Sequence, residues 1–415
     1  MSNIKRKIIC EQCGMVLELP SLSGRLVGIC PRCGKVLYKF HAHWVPNSFC
    51  YALVAVIFGL LADVLPFISI KSAEISNSME MLDYTTILVQ QNYSVISFVI
   101  FLVMQLLPFL VLVTILLSDL GCMLGVHWRL PGFLLKFYRF ALEWSMLEVF
   151  MASILVSLVK LVSLVEVSYG NGFWCFFGYP IFYLLAINRF NWRKAWNYYV
   201  PIVELSRPLK CGVSAEPQNF ESCERCGGIV DLKMEEHCPR CGGHVRKIDP
   251  YSVQRCFALC MAALVLYIVS NMYPMMITSS LGVDEPSTII EGVILLWDLG
   301  SYFVAGVIFV ASIFIPLLKI GLLLYLCFSV NRFQRTRNKH RLSVVFRLVE
   351  FIGKWSMIDV FVVAIMASVV RMGNLMVIYP GNAVLVFAGV VVITILAAKS
   401  FDCRLFWARV IPSKE

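Results

Sequence analysis

Apolar residues in this chain run on rather than alternate. Eight nearly continuous hydrophobic stretches lie at about 48–70, 94–117, 145–167, 172–188, 256–277, 301–329, 352–371 and 379–399. A helix rises about 1.5 Å per residue, so some 20 apolar residues match the roughly 30 Å hydrocarbon core of a bilayer. The pattern predicts an all-α polytopic membrane protein with eight transmembrane helices in two sets of four. Pro108 and Pro316 fall inside the second helix of each set, where they predict kinks whose freed backbone groups are satisfied by neighbouring helices.

The two sets read as tandem repeats. Cys30 and Cys238, Pro66 and Pro274, and Pro108 and Pro316 are each 208 positions apart; beyond a three-residue shift, Trp144-Ser-Met-Leu-Glu148-Val-Phe150 returns as Trp355-Ser-Met-Ile-Asp359-Val-Phe361. Self-similarity over such a distance marks a duplicated unit. The expected organisation is a cysteine-rich segment at 1–47, a four-helix domain at 48–188, a linker and second cysteine-rich segment at 189–255, a second four-helix domain at 256–399, and a tail at 400–415. Each cysteine segment is expected to be tied to the helical half that follows it.

Composition supports the membrane assignment, since 59% of the 415 residues are hydrophobic and only 15% charged, with a mean hydropathy of +0.77. The first apolar stretch follows a polar segment, so no cleavable signal peptide is expected. Lys and Arg set the orientation. Seven lie in 1–47, three in 118–144, eleven in 189–255, six in 330–351 and three in 400–415, whereas the opposite loops carry only Lys71. Both termini and both cysteine segments are therefore expected in the cytoplasm. The net charge of +10 is sorted by membrane side rather than gathered on a soluble face, which argues against nucleic-acid binding. The opposite loop between Asp284 and Asp298, with Glu285 and Glu291, is acidic; it either meets a partner or is simply solvated.

The cysteines carry the most specific motif. Cys10-Glu-Gln-Cys13-Gly and Cys30-Pro-Arg-Cys33-Gly form one set; Cys223-Glu-Arg-Cys226-Gly and Cys238-Pro-Arg-Cys241-Gly form the other. Two Cys-x-x-Cys turns supply four thiolates, a closed tetrahedral site, so each set predicts a structural zinc ribbon with one Zn2+. The same dipeptide spacing serves dithiol redox pairs, but four turns in two sets favour metal, and a reducing compartment disfavours disulfides. The remaining eight cysteines, including Cys50, Cys175, Cys260 and Cys327, read as small buried hydrophobes.

Charged residues within predicted spans mark the other candidate site, because insertion of an ionised group is costly. Glu148 and Asp359 match between repeats, as do Lys160 and Arg371, twelve residues further on. Lys319 has Val111 as its counterpart. Lys160 and Arg371 stand near enough to the far interface to snorkel, and a structural hydrogen bond would equally account for Glu148 and Asp359. Lys319 lies mid-span and calls for a buried anion, with Asp359 the best candidate. Glu148, Lys319, Ser356, Asp359 and Thr394 thus form a candidate polar network able to move protons. Trp144 and Trp355 read as interfacial anchors, and Pro66 and Pro274, preceded by Asp63 and Asn271, as helix ends. Gly373-Asn374 is a turn signal.

Taken together, the two ribbons, Pro66, Pro274, Pro316 with Lys319, the segment Thr288-Ile-Ile-Glu-Gly-Val-Ile-Leu-Leu-Trp297, the segment Trp355–Phe361 and Arg371-Met-Gly-Asn-Leu-Met-Val-Ile-Tyr-Pro380 resemble the paraquat-inducible protein A family of Gram-negative inner-membrane proteins, over nearly the whole chain. The resemblance implies a partner of a periplasmic MCE-domain protein whose hexameric rings form a tube for phospholipid or other hydrophobic cargo. It also implies a role in envelope integrity and membrane-stress tolerance. The sixteen residues between the first pair of knuckles against eleven in the second put in doubt that the two ribbons share one shape. No Gly-x-x-x-x-Gly-Lys-Ser/Thr loop occurs, so no ATPase is expected. Two other readings stand beside this non-enzymatic transport role: a membrane thiol or quinone oxidoreductase, and a stand-alone proton-coupled exporter.

Overall fold

The structure, a computed structural model, describes residues 6–19, 27–39, 43–72, 75–79, 83–90, 94–127, 129–162, 167–201, 205, 207–234, 236–245, 247–280, 283–298, 300, 302–332, 339–369 and 376–407. Gly373, Asn374 and Arg371 lie outside the described residues, as do the side chains of Lys160 and Asp359.

The chain opens with two antiparallel hairpins, β1 (Arg6–Ile9) with β2 (Val16–Leu19) and β3 (Val27–Ile29) with β4 (Val36–Lys39). The N-terminal helical half follows: α1 (Trp44–Val64), β5 (Ile68–Ser72), β6 (Ile75–Met79), α2 (Asp83–Gln90), α3 (Ser94–Phe101), α4 (Leu107–Leu124), α5 (Arg129–Trp144), α6 (Leu147–Val162), β7 (Val167–Tyr169), α7 (Asn171–Arg189) and α8 (Trp192–Tyr199). A third hairpin, β8 (Phe220–Ser222) with β9 (Ile229–Asp231), leads into the C-terminal half. That half holds α9 (Ser252–Met272), β10 (Met276–Ser280), β11 (Val283–Ser287), α10 (Ile289–Asp298), α11 (Tyr302–Ile308), α12 (Ile315–Arg332), α13 (Lys339–Trp355), α14 (Ile358–Val369), β12 (Met376–Pro380) and α15 (Ala383–Ser400). Apart from α8, element follows element in the same order in both halves.

Six helices among the described residues are long and apolar enough to cross a membrane: Trp44–Val64, Ser97–Leu124, Arg129–Leu158, Ser252–Met272, Ala305–Val330 and Ala383–Ser400. The all-helical expectation needs one correction. Each half also builds a three-stranded antiparallel sheet, in the order β6-β5-β7 and β11-β10-β12. Since α1 and α9 each contain 21 residues, about 32 Å of helix, these sheets lie at the end of the bundle opposite the hairpins. The acidic loop is likewise ordered as β11 and α10. Thr288 and Glu291 form a capping box there: Thr288 N donates to Glu291 Oε2 (2.7 Å) and Glu291 N to Thr288 Oγ1 (3.3 Å), satisfying two helix-end donors at once.

At the expected kinks the helices form π-helical turns. Leu102–Leu106 precedes Pro108 and Phe309–Phe314 precedes Pro316. Proline removes one amide donor and crowds the carbonyl four residues earlier, and a widened turn absorbs both effects within a continuous rod. In the C-terminal half the Tyr267 hydroxyl lies 3.5 Å from the Ser312 carbonyl and 3.4 Å from that of Ile313, so α9 supplies a donor that Pro316 withholds.

Two further differences concern boundaries. Residues 118–144, expected as a loop, are largely helical, because α4 continues to Leu124 and Gly125 closes it in the left-handed conformation (φ 68°). The amphipathic α5 then covers Leu135, Tyr138 and Ala141 while leaving Leu130, Phe133 and Phe140 exposed. The repeated Trp-Ser-Met segment is where the helix breaks: α5 stops at Trp144 and α6 starts at Leu147, just as α13 stops at Trp355 and α14 starts at Ile358.

The halves meet along α6 and α14. Ser153, fully buried on α6, donates to the Ile358 carbonyl (3.2 Å), and Phe150 meets Phe361 edge-on at 5.6 Å. Each half closes at the sheet end through one glycine. A Cβ at Gly170 would stand 2.0 Å from the Pro66 carbonyl oxygen, and one at Gly381 would stand 2.1 Å from that of Pro274. Gly170→Ala and Gly381→Ala are each expected to lower stability by about 1–3 kcal/mol, the usual cost of forced overpacking. Gly389→Ala, where a Cβ meets nothing within 4 Å, should be neutral; thermal unfolding in detergent or nanodiscs measures all three.

Candidate metal centres and a buried polar site

Each cysteine set sits at the tips of knuckle turns. The amide of the first cysteine in each Cys-x-x-Cys donates to the carbonyl five residues on, and the following glycine donates back, as in Cys10 N to Met15 O (2.9 Å) and Gly14 N to Cys10 O (2.8 Å). Gly14, Gly34, Gly227 and Gly242 all take positive φ, 66° to 75°, a region that costs other residues about 1 kcal/mol or more. Eight buried sulfurs result, in two groups of four, each group within 4.8 Å of one another. The pairs Cys10–Cys33 (3.5 Å), Cys13–Cys30 (3.6 Å), Cys223–Cys241 (3.4 Å) and Cys226–Cys238 (3.6 Å) approach the S···S edge of about 3.8 Å that a tetrahedron with 2.3 Å metal–sulfur bonds requires. Each group can therefore hold one metal ion with no coordination position left open. Hydrogen bonds from Cys10 and Cys13 push the Cys33 thiol down to about 4, while those from Cys10 and Cys33 push Cys13 up. Four sulfurs that share protons in this way are set to exchange them for a cation.

The first ribbon does not sit only on the half that follows it; it contacts both. The first ribbon grips the C-terminal half: Gln12 Nε2 donates to Ser343 O (3.0 Å), Arg347 donates to Gly34 O (3.0 Å) and Cys33 O (3.3 Å), and the Arg32 guanidinium stacks 4.5 Å over Trp407. It also holds the N-terminal half, through Glu11 paired with Arg139 of α5 (2.9 Å) and Arg193 of α8 (3.3 Å), with Lys35 at 3.2 Å. Burial pushes the Glu11 carboxyl up, but Arg139, Lys35 and Arg193 outweigh it and leave it down at about 2. The second ribbon packs on α8, where Arg240 donates to Asn197 Oδ1 (2.8 Å) and the Val200 carbonyl (2.7 Å). The two modules join edge to edge through Val16 N to Val213 O (3.0 Å) and Ala215 N to Gly14 O (2.8 Å). This cross-docking corrects the expectation of one ribbon per half. Sequence order says which helix a ribbon precedes, not which it touches.

Within the membrane-spanning part, Lys319 is completely buried, and its ammonium donates to Thr394 Oγ1 of α15 (2.8 Å), whose hydroxyl donates in turn to the Val391 carbonyl (2.9 Å). Gly353 of α13 leaves the space: a Cβ there would lie 3.3 Å from Lys319 Nζ. Ser356 is buried at the α13–α14 break. Asp359 falls in the first turn of α14; Glu148, half-buried, occupies the first turn of α6, where an acidic side chain faces the positive end of the helix dipole.

Alignment of the halves explains why only one carries a lysine at the position shared by Val111 and Lys319. Ser356 and Thr394 correspond to Ser145 and Tyr183, each 211 positions earlier. In the N-terminal half the Tyr183 hydroxyl donates directly to Ser145 Oγ (2.7 Å). Where Tyr183 gives way to the smaller Thr394, Val111 gives way to Lys319, and the longer side chain brings its own donor. Charge within apolar runs does not single out the uncharged Tyr183–Ser145 pair, whereas comparison of the two halves does.

A family model described as paraquat-inducible protein A matches residues 46–199 and again 253–411. The chain is 38% identical over 407 residues to the intermembrane transport protein PqiA of Escherichia coli (strain K12), covering 97% of this chain and 96% of that protein. It is 24% identical over 405 residues to the lipophilic envelope-spanning tunnel protein A of the same organism, covering 96% and 90%. It is 25% identical over 406 residues to a probable intermembrane transport protein of Haemophilus influenzae, covering 96% and 95%. No solved structure matches.

Cys13→Ser and Cys226→Ser should each remove one of two bound metal equivalents, read by elemental analysis of the purified chain. Glu11→Gln should unpair Arg139 and Arg193 and lower stability by about 1–3 kcal/mol, read as a lower thermal midpoint with metal content unchanged.

Proposed function

Because the chain belongs to the paraquat-inducible protein A family, we propose that it is the inner-membrane component of an intermembrane lipid-transport system, passing phospholipid or another hydrophobic cargo between the bilayer and a periplasmic MCE-domain tunnel. The observation that carries the reading is similarity over 97% of the chain to a relative named for intermembrane transport. A second relative of nearly the same extent is named for a lipophilic envelope-spanning tunnel. Their names describe transport rather than catalysis. The buried, closed four-thiolate groups suit structural Zn2+ rather than dithiol exchange, which needs an accessible thiolate.

In this reading the chain has eight crossings in two tandem repeats, with α6 and α14 as the third crossing of each. Both termini and both ribbons face the cytoplasm, in keeping with the distribution of Lys and Arg. The cross-docked ribbons hold the halves in register at one face, so relative movement of the halves opens at the other. Lys319, Thr394, Ser356 and Asp359, with Glu148, form the polar pathway that moves with the halves, and sequence position alone assigns Lys160 and Arg371 to its far end.

Affinity purification of the full chain from detergent, with mass spectrometry of co-purifying proteins and lipids, should recover an MCE-type protein and bound phospholipid; recovery of neither overturns the assignment. Lys319→Ala and Asp359→Asn should each abolish rescue of an envelope-stress phenotype while metal content stays at the wild-type level. Full rescue by both variants would remove the pathway from the mechanism.

A further inference from the structure

Ser48 of α1 and Asp119 of α4 are both completely buried where these helices pack, five residues short of the ribbon-side end of α4. Ser48 Oγ lies 2.6 Å from the Trp44 carbonyl oxygen and 2.5 Å from Asp119 Oδ2. A hydroxyl has one proton and can donate to only one of the two. The second short contact is attractive only when Asp119 contributes a proton, so that the acid O–H donates to Ser48 Oγ and the Ser48 O–H donates to the Trp44 carbonyl. The other carboxyl oxygen, Asp119 Oδ1, is buried with no hydrogen-bond partner among the described residues, and the same holds for the adjacent Ser118 Oγ. An ionised carboxylate would leave a charged oxygen there undonated, whereas a neutral acid leaves only a carbonyl lone pair.

Among the described residues, no cation stands near to balance a charge. The titratable groups facing Asp119 are Cys122 of its own helix, Tyr138 of α5 and Tyr199 of α8. Tyr199 donates to the Ser118 carbonyl (2.8 Å), and exposed His127 stacks on Tyr198 at 4.4 Å and meets Tyr199 edge-on at 6.4 Å. Tyr51 follows on α1, and Tyr183 of α7 is engaged with Ser145. No Lys, Arg or His forms a hydrogen bond or ion pair with Asp119 among the described residues. The C-terminal half supplies an independent comparison: 208 positions on, Ser48 and Asp119 become Cys256 and Cys327, whose thiols hydrogen-bond each other between α9 and α12. The position accommodates a neutral donor–acceptor pair in both halves, and only the N-terminal half makes it ionisable.

We propose that Asp119 is a proton-binding site: it holds one proton as a neutral acid bonded to Ser48 and exchanges it with water at the ribbon-side end of α4. On release the acid O–H bond breaks and the proton leaves to solvent. The Ser48 hydroxyl then turns from the Trp44 carbonyl to Asp119 Oδ2, so one proton moves the N-terminal turn of α1 from one hydrogen-bonding state to another. The site is independent of which cargo the chain carries.

Infrared spectroscopy of the purified full chain in phospholipid nanodiscs tests it. At neutral pH the wild type should show a buried carboxylic-acid C=O band that shifts in D2O and is lost in Asp119→Asn, whose amide can still donate to Ser48. The wild-type thermal midpoint should fall as pH rises through the titration of that band, and Asp119→Asn should lose this dependence while remaining folded. Should Asp119→Asn fail to fold, Ser48→Ala keeps the acid and must move the band to higher frequency. Identical carboxyl spectra for the wild type and Asp119→Asn, or an unmoved band in Ser48→Ala, overturn the proposal. A band that sodium ions abolish in the wild type would make this a sodium site and overturn it equally.

Discussion

A polar atom placed in the interior of an apolar bundle must find its partner locally, and this constraint shapes the structure more than any other. Water is not at hand, and an orphaned group there costs several kcal/mol. The prolines illustrate it: π turns precede Pro108 and Pro316, and Tyr267 reaches toward the Ser312 and Ile313 carbonyls. Ser145, at the break between α5 and α6, is held by Tyr183, and Lys319 of α12 is held by Thr394. At the seam, Ser153 finds the Ile358 carbonyl. Each of these side-chain contacts ends on a backbone or hydroxyl acceptor and ties one helical segment to another.

Outside the apolar region the governing interactions are ionic and metal-centred. A ribbon with few core residues of its own draws its shape from four converging thiols that can hold a cation. Once shaped, the first ribbon presents Glu11 to Arg139 and Arg193 on one half and the Gly34 and Cys33 carbonyls to Arg347 on the other. It thereby bridges two halves that otherwise meet chiefly through α6 and α14. A metal held there would perform no chemistry yet would steady that clamp, and with it the placement of the two halves.

Local patterns were legible to the extent that their physics is local. Hydrophobic run length found α1, α4, α9, α12 and α15, and Cys-x-x-Cys-Gly spacing found the knuckles with their left-handed glycines. Run length passed over α5 and α13, which fall almost wholly in the segments read as loops, 118–144 and 330–351, because their apolar residues cover one face only. It also hid Asp119, which fell just past an assumed helix end. The short sheets were missed because their strands, such as Ile68–Ser72 and Val283–Ser287, are too short and too polar to stand out beside transmembrane runs.

What sequence determined by itself is therefore the membrane class, the two-set arrangement of apolar runs and the composition of the metal centres, all properties of residue type and spacing along one dimension. Tertiary structure decided which ribbon touches which half, that Lys319 pairs with Thr394, and that Ser48 meets Asp119. Those outcomes depend on side chains far apart in sequence, where small differences in volume, such as Tyr183 against Thr394, choose between alternative partners. A one-dimensional pattern records that a polar group is buried; only the packing of neighbouring helices settles what answers it.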